Sequence, residues 1–409
     1  EPQLGDSCAT AIPLALGDNA VTPDRPYDLD RPSCLSERSP LTWYSFTPSE
    51  TSVSVALDVA APFGARQGAQ ELGCSATAAL GGSVFATPGS PVCFALASGS
   101  GVTRVTVDEA PYDGIRGTLV DLGVDRGGRS LTTDNWMAMT PTYVYLGVSD
   151  SSNAMLRPTV RFRRDAAAPV FETFAALAPM GGFDASNVGF SAVAVGERVF
   201  GLEDASTAAV RVRQYFDESG ALDVRDWDTE SSWGGLATRA IGYDGTNLLV
   251  ATYSTSGAVR IYRVDPTTPG PAVELGRNDR LTHVTGISGD ATHVYLAGRL
   301  DGDEALGGLF RIARTDLGTS TTIPERIGFF RVDTASNPIV FHTTGTATYA
   351  YTREFGASVL AFRVSGTPRF MGVVASGFSN TFYEGLTFDP ALPALFVNNG
   401  NDIPFYRID

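Results

Sequence analysis

Ile241-Gly242-Tyr243-Asp244-Gly245-Thr246-Asn247-Leu248-Leu249-Val250-Ala251, followed after a short gap by Val259-Arg260-Ile261-Tyr262-Arg263-Val264-Asp265, reads as strand, Asp-Gly turn, strand, loop, strand. Its closing tetrad, apolar-Arg-x-Asp, recurs as Phe162-Arg163-Arg164-Asp165, Ala313-Arg314-Thr315-Asp316, Phe362-Arg363-Val364-Ser365 and Tyr406-Arg407-Ile408-Asp409. A degenerate copy, Gln214-Tyr215-Phe216-Asp217, fills the remaining gap. The preceding apolar strand repeats in step, at Tyr143–Leu146, Val199–Leu202, Leu248–Ala251, Val294–Ala297, Thr348–Tyr351 and Leu395–Asn398. Two markers sharing a period of about 49 residues match four-stranded propeller blades. Six copies predict six blades over residues 111–409. The last tetrad ends at Asp409, so the sixth blade lacks an outer strand. An open sheet edge invites foreign pairing, and the apolar stretch Ile115–Leu122 is expected to supply that strand and close the ring.

The repeated Arg admits two readings. Its fork of donors can reach a carboxylate or carbonyl of the neighbouring blade and fix blade against blade, or a ring of arginines can face the channel and hold a ligand. The first is the preferred one, because charge on a strand usually marks a solvated or paired face.

Composition fits an all-β chain. Among 409 residues there are 44 Gly and 24 Pro, 43% of the chain is apolar, and helical apolar periodicity is nearly absent. No apolar run is long enough to span a membrane. The formal charge is -15 and every basic residue is Arg, so nucleic acid is not an expected partner.

All four cysteines, Cys8, Cys34, Cys74 and Cys93, fall in the first quarter of the chain. An even count confined to a small domain predicts two disulfides. Three connectivities remain open; the sequential one closes the shortest loops, at on the order of 3 kcal/mol each. The first residue is Glu1 rather than Met, as expected after removal of a signal peptide. The expected location is therefore extracellular or on the surface of a bacterium.

Residues 1–110 alternate apolar and polar in short runs such as Leu41–Phe46, Val53–Val59 and Val102–Val107, predicting a small disulfide-stapled β-sandwich. The Pro111-Tyr112-Asp113-Gly114 turn marks its end. Gly5-Asp6-Ser7-Cys8-Ala9-Thr10-Ala11, Cys34 and Trp43-Tyr44-Ser45-Phe46-Thr47-Pro48 resemble the pre-peptidase C-terminal type of domain appended to secreted bacterial proteins. That resemblance implies an accessory module for attachment rather than a catalyst. The family's Gly-x-Tyr strand is replaced here by Gly101-Val102-Thr103-Arg104.

Catalytic signatures are absent from the sequence: there is no nucleophile elbow, zinc-protease motif, phosphate loop or dinucleotide fingerprint. His283, His293 and His342 read as hydrogen-bonded structural histidines. Glu384-Gly385-Leu386-Thr387-Phe388-Asp389-Pro390 resembles the start of a blade in gluconolactonase-like and esterase-like-phytase propellers, which implies a divalent-metal role for Glu384. Asn337, Asn187 and Asp134 precede other inner strands and could complete an oxygen cage for Ca²⁺. Asp301, Asp303 and Glu304 form a second acidic candidate, whose bland reading is a solvated loop. Trp227 and Trp233 offer either an aromatic contact for a partner or core packing.

The reading that follows is a non-enzymatic secreted or cell-surface protein, binding or assembling, whose propeller loops meet a protein or glycan or a further copy of the chain. A Ca²⁺-dependent hydrolase or lactonase acting at the propeller channel is the competing reading.

Overall fold

The computed structural model describes residues 3–24, 31–35, 40–117, 119–125, 131–150, 159–167, 169–173, 188–203, 212–228, 237–253, 258–301, 307–332, 337–354, 358–376, 378, 385–398 and 405–408. The chain divides into two compact units. One comprises Glu1–Gly114 with Thr344–Ala347 and Leu360–Val373; the other holds Ile115–Thr343, Thr348–Val359 and Val374–Asp409.

In the first unit, strands β1 (Ile12–Pro13), β2 (Gly17–Ala20), β3 (Leu41–Phe46), β4 (Ser52–Gln67), β5 (Gln70–Phe85), β6 (Val92–Ala97) and β7 (Arg104–Ala110) form one seven-stranded sheet ordered β1-β3-β6-β4-β7-β2, with β5 beside β4. The predicted sandwich is thus one sheet curled into a half-barrel. The first half of β4 pairs with β7 and the second half with β6, and register shifts between Ala56 and Phe63 bend it across the turn. Inward residues such as Tyr44, Val53, Val55, Phe94 and Val107 make its core. The disulfides are nested: Cys8 bonds Cys93 and Cys34 bonds Cys74. Both flank the fully buried Trp43, over whose ring the Arg66 guanidinium lies at 5.7 Å. Pairing follows the neighbours that the sheet provides, which spacing alone does not reveal.

Six four-stranded antiparallel sheets follow, the first five of them meanders. The first blade holds β9 (Leu131–Met139), β10 (Tyr143–Asp150), β11 (Thr159–Arg163) and β12 (Glu172–Thr173), and the second β13 (Val188–Val195), β14 (Arg198–Glu203), β15 (Val212–Phe216) and β16 (Leu222–Asp226). The third is β17 (Ala237–Tyr243), β18 (Leu248–Tyr253), β19 (Val259–Val264) and β20 (Val273–Asn278); the fourth is β21 (Leu281–Gly289), β22 (His293–Leu300), β23 (Gly307–Ala313) and β24 (Glu325–Phe330). The fifth has β25 (Val340–Thr343), β26 (Thr348–Glu354), β27 (Ser358–Arg363) and β28 (Arg369–Ser376). The sixth is built from β29 (Leu386–Asp389), β30 (Ala394–Asn398), β31 (Phe405–Ile408) and, as its outer strand, β8 (Leu119–Asp121). Leu119, Val120 and Asp121 stand opposite Ile408, Arg407 and Tyr406. The ring is closed by the segment expected from the missing strand.

Apolar side chains of adjacent blades interdigitate. Phe200 and Leu202 of the second blade pack with Leu248, Val250 and Tyr262 of the third, and Leu249, Ala251 and Ile261 of the third pack with Leu296, Phe310 and Ile312 of the fourth. Val144, Leu146 and Phe162 of the first meet Ala394 and Phe396 of the sixth, sealing the closure. Each such Val, Leu, Ile or Phe side chain, fully buried, contributes about 1.5–3 kcal/mol. The inner strands approach closely at Gly242, where an added Cβ would collide with the Ile287 carbonyl.

The register corrects the repeat. Phe162, Val264, Ile312 and Ile408 lie opposite Val144, Leu248, Val294 and Leu395, so the equivalent arginines are Arg161, Arg263, Arg311 and Arg407. The tetrads read at Phe162–Asp165 and Ala313–Asp316 run past their strands. Arg161, Arg163 and Arg164 crowd one stretch, as do Arg311 and Arg314, so several frames fit the pattern and alternation cannot choose among them.

Candidate functional site

Each inner strand ends in a tight turn onto the next strand, and the turn residue is repeatedly one that caps its own hairpin. Asp244 Oδ1 accepts from the N–H groups of Thr246 and Asn247 (2.9 and 2.6 Å), Asp290 Oδ1 from those of Thr292 and His293 (2.7 and 2.8 Å), and Asp389 Oδ1 from those of Ala391 and Leu392 (2.8 and 3.3 Å). Thr140 and Thr344 do the same with hydroxyls. Asp and Thr suit this place because a short side-chain oxygen reaches backbone N–H groups two and three residues on. In the third blade the chain then turns through Gly245 at φ +91°, a conformation that glycine adopts without strain.

Arginine links these turns between blades. Arg314 Nη2 donates to Asp244 Oδ2 at 2.5 Å while its Nε donates to the Asp290 carbonyl at 2.8 Å. Arg164, at the equivalent place in the first blade, donates to Asp389 Oδ1 of the sixth at 2.8 Å. The equivalence is exact in the backbone, since the Arg314 N–H bonds the Thr292 carbonyl and the Arg164 N–H bonds the Thr142 carbonyl. Arg311 instead bonds Glu325 across its own blade, while Arg161 bonds Glu172 of its own blade and, through Nη1, the Gly220 carbonyl of the second at 2.6 Å. Blades are thus tied together both by the arginine just beyond the strand, at Arg164 and Arg314, and by Arg161 within it.

At this turn-bearing end of the channel lies a cavity of about 600 Å³. Met137, Met139, Ile241, Phe341 and Phe388 give it apolar walls, and Tyr243, Asp244, Ser288 and Asp290 bring polar atoms to it. Ser288 Oγ donates to the Tyr243 carbonyl at 3.2 Å, and Ser191 Oγ lies 3.3 Å from both the N–H and the carbonyl of Ile241, so hydroxyls tie the inner strands around the opening. Burial by itself would raise the Asp290 carboxyl, but the Thr292 hydroxyl and backbone N–H, the Tyr295 hydroxyl and the His293 N–H together hold it below the ordinary value. Tyr295 is correspondingly raised, by burial first and then by Asp290. Among the described residues, no Arg or His lines the cavity.

Of the residues expected from sequence to hold a metal, Asn337, Asp134 and Asp301 are described. Asn337, fully buried before β25, accepts from Thr285 Oγ1 at 2.6 Å through Oδ1 and donates from Nδ2 to the Arg353 carbonyl at 2.8 Å, joining the fourth and fifth blades. Asp134 lies within β9, and Asp301 is exposed in the turn after β22. Glu384, Asn187, Asp303 and Glu304 lie outside the described residues. Among the described residues no three His, Cys, Asp or Glu side chains converge as a metal site. Trp227 is core, stacked edge-on against Phe200 with Nε1 donating to the Asp265 carbonyl at 2.6 Å, while Trp233 lies outside the described residues. His293 Nδ1 is 2.8 Å from Thr292 Oγ1, and the His342 ring lies against Phe388 at 4.9 Å.

Sequence reasoning treated Asp244-Gly245 as punctuation and passed over Asp290. The signal was available in the recurrence of Asp or Thr directly after an inner strand, but that pattern has the same local cause in any hairpin.

No protein-family model matches the chain, and no curated protein matches it by sequence. Solved structures similar to it include a mutant of Trypanosoma rangeli sialidase displaying trans-sialidase activity, at 8% identity and TM-score 0.47, covering 73% of this chain and 59% of that one. The chain therefore spans less than two thirds of that protein. A Bacteroides thetaiotaomicron protein of unknown function matches at 11% identity and TM-score 0.45, over 91% and 98% of the two chains. The WD40 domain of Toxoplasma gondii coronin matches at 12% identity and TM-score 0.40, over 72% and 88%. At this level of similarity the blade count rests on the strand pairing itself.

No helix among the described residues is long and apolar enough to cross a membrane.

Proposed function

We propose that this chain is a non-enzymatic binding protein of an oxidising extracellular or cell-surface setting, and that the turn-bearing mouth of its channel is the recognition pocket. The half-barrel unit acts in this reading as an accessory module, in keeping with its resemblance to pre-peptidase C-terminal domains, and its two disulfides suit an oxidising compartment. The cavity carries the proposal. About 600 Å³ with apolar walls and a few oriented polar groups is the form that small-ligand sites take. Its two carboxylates are already engaged, Asp244 by its turn and Arg314, Asp290 by its turn and Tyr295. Groups held this way are fixed in orientation, which suits positioning a ligand.

The test is a ligand-observed fragment screen on the purified chain, repeated with Thr343→Trp. Thr343 is exposed at the end of β25 and borders the cavity, so an indole there fills the mouth without entering the core. Fragments that bind the native chain are expected to be lost from the variant while its Tm is unchanged. Retention of those fragments would remove the pocket from the reading. A stoichiometric divalent ion, lost together with hydrolytic activity in Glu384→Ala, would replace the reading with the metal-dependent one.

A further inference from the structure

Resting on that pocket reading, we infer that the occupant is a small organic cation, an amine or guanidinium carried on an aromatic or alkyl body. Three independent features of the mouth agree on this chemistry. The first is charge. Asp244 and Asp290 both border the cavity, and Arg314, which sits between their turns, compensates one of them, leaving one carboxylate in excess. That excess acts where no Arg or His lines the wall among the described residues, and within a chain whose formal charge is -15. A cation is drawn toward such a mouth and an anion repelled from it.

The second is the supply of aromatic rings. Tyr243, Phe341 and Phe388 all line the cavity, and the negative face of an aromatic ring attracts ammonium and guanidinium groups. The third is the pair Met137 and Met139, which give the wall polarizable, conformationally adaptable surface for an apolar body. A bare metal ion would gain nothing from these walls, and a neutral hydrocarbon would leave the carboxylate unused. A cation on an apolar stem uses both.

The experiment is a calorimetric titration with three probes of one shape and different charge: 2-phenylethylamine, 2-phenylethanol and phenylacetate. The amine is expected to bind about tenfold more tightly than the alcohol, and phenylacetate more weakly than either. Asp290→Asn keeps an oxygen for the Thr292 and His293 N–H groups but removes the charge, so it is expected to bring the amine down to the alcohol's affinity and leave the alcohol unchanged. Equal affinities for amine and alcohol in the native chain, both abolished in Thr343→Trp, would overturn the cationic ligand while leaving the pocket standing. Amine binding that survives Thr343→Trp would overturn the pocket itself. Absence of amine binding up to roughly 10 mM would overturn the inference without recourse to any variant.

Discussion

Arg314 of the fourth blade and Asp244 of the third stand 2.5 Å apart, the carboxylate side chain 4% exposed and the guanidinium 26%, so the ion pair is largely withdrawn from water. The pair joins a residue just beyond one blade's third strand to the hairpin turn of the blade before it. Arg164 and Asp389 repeat the relationship where the first blade meets the sixth, at 2.8 Å with Asp389 fully buried.

Arg314→Ala is expected to destabilise the propeller by about 2–3 kcal/mol, because it strands a buried carboxylate that its turn N–H groups only partly satisfy. Arg260→Ala, which removes an exposed pair with Glu274 at 3.5 Å, is expected to cost at most about 0.5 kcal/mol. Denaturant unfolding of both variants checks the contrast; equal effects would show that Arg314 is not a structural clamp.

Ring closure through β8 can be tested by proline. Alternate residues of an antiparallel strand turn their N–H toward the partner, so of Leu119→Pro and Val120→Pro one removes a ladder bond to β31 and the other does not. The damaging variant is expected to lose roughly 2 kcal/mol and to expose the amides of residues 405–408 to hydrogen exchange. If neither substitution alters exchange there, β8 does not close the ring in solution.

The nested disulfides close chain separations of 85 and 40 residues, for which loop entropy gives about 4.5 and about 4 kcal/mol. Reduction is expected to lower the unfolding midpoint of the half-barrel unit far more than that of the propeller. Peptide mapping under non-reducing conditions should recover Cys8 joined to Cys93 and Cys34 joined to Cys74; any sequential pairing contradicts the topology.

Glu354, at the end of β26, is pushed above the usual carboxylate range by burial, opposed only in part by the Arg331 N–H and charge. The folded state therefore holds this proton more tightly than the unfolded chain. Its contribution favours folding at low pH and is lost as pH rises from near 4.5 through the raised folded value. Glu354→Gln keeps an acceptor for Arg331 and should stabilise the protein at pH 7 while leaving stability near pH 4 unchanged. Identical stability-against-pH curves for the two forms would refute the assignment.

Much of the fold was legible because blades are nearly independent units, each of which must satisfy its own strand period and turn chemistry. Leu248–Ala251 and its copies declared the second strand of every blade, and a final blade short of one strand pointed to Ile115–Leu122. The arginine frame was less legible. Arg161 and Arg164 are equally acceptable to an alternating pattern, and only the folded chain shows Arg161 reaching Glu172 of its own blade and Gly220 of the second while Arg164 reaches Asp389 of the sixth. The candidate pocket was not legible at all, since Met137, Tyr243, Asp290, Phe341 and Phe388 come from five different blades.

The sequence by itself determined an all-β chain, six blades, a borrowed closing strand and two disulfides, because periodicity, turn residues and cysteine count are local or additive properties. Only the tertiary structure decided which cysteines meet, which arginines clamp neighbouring blades, and which turn residues gather around the channel mouth. Those are relationships between distant segments, and they exist only once inter-blade burial has fixed every strand's register.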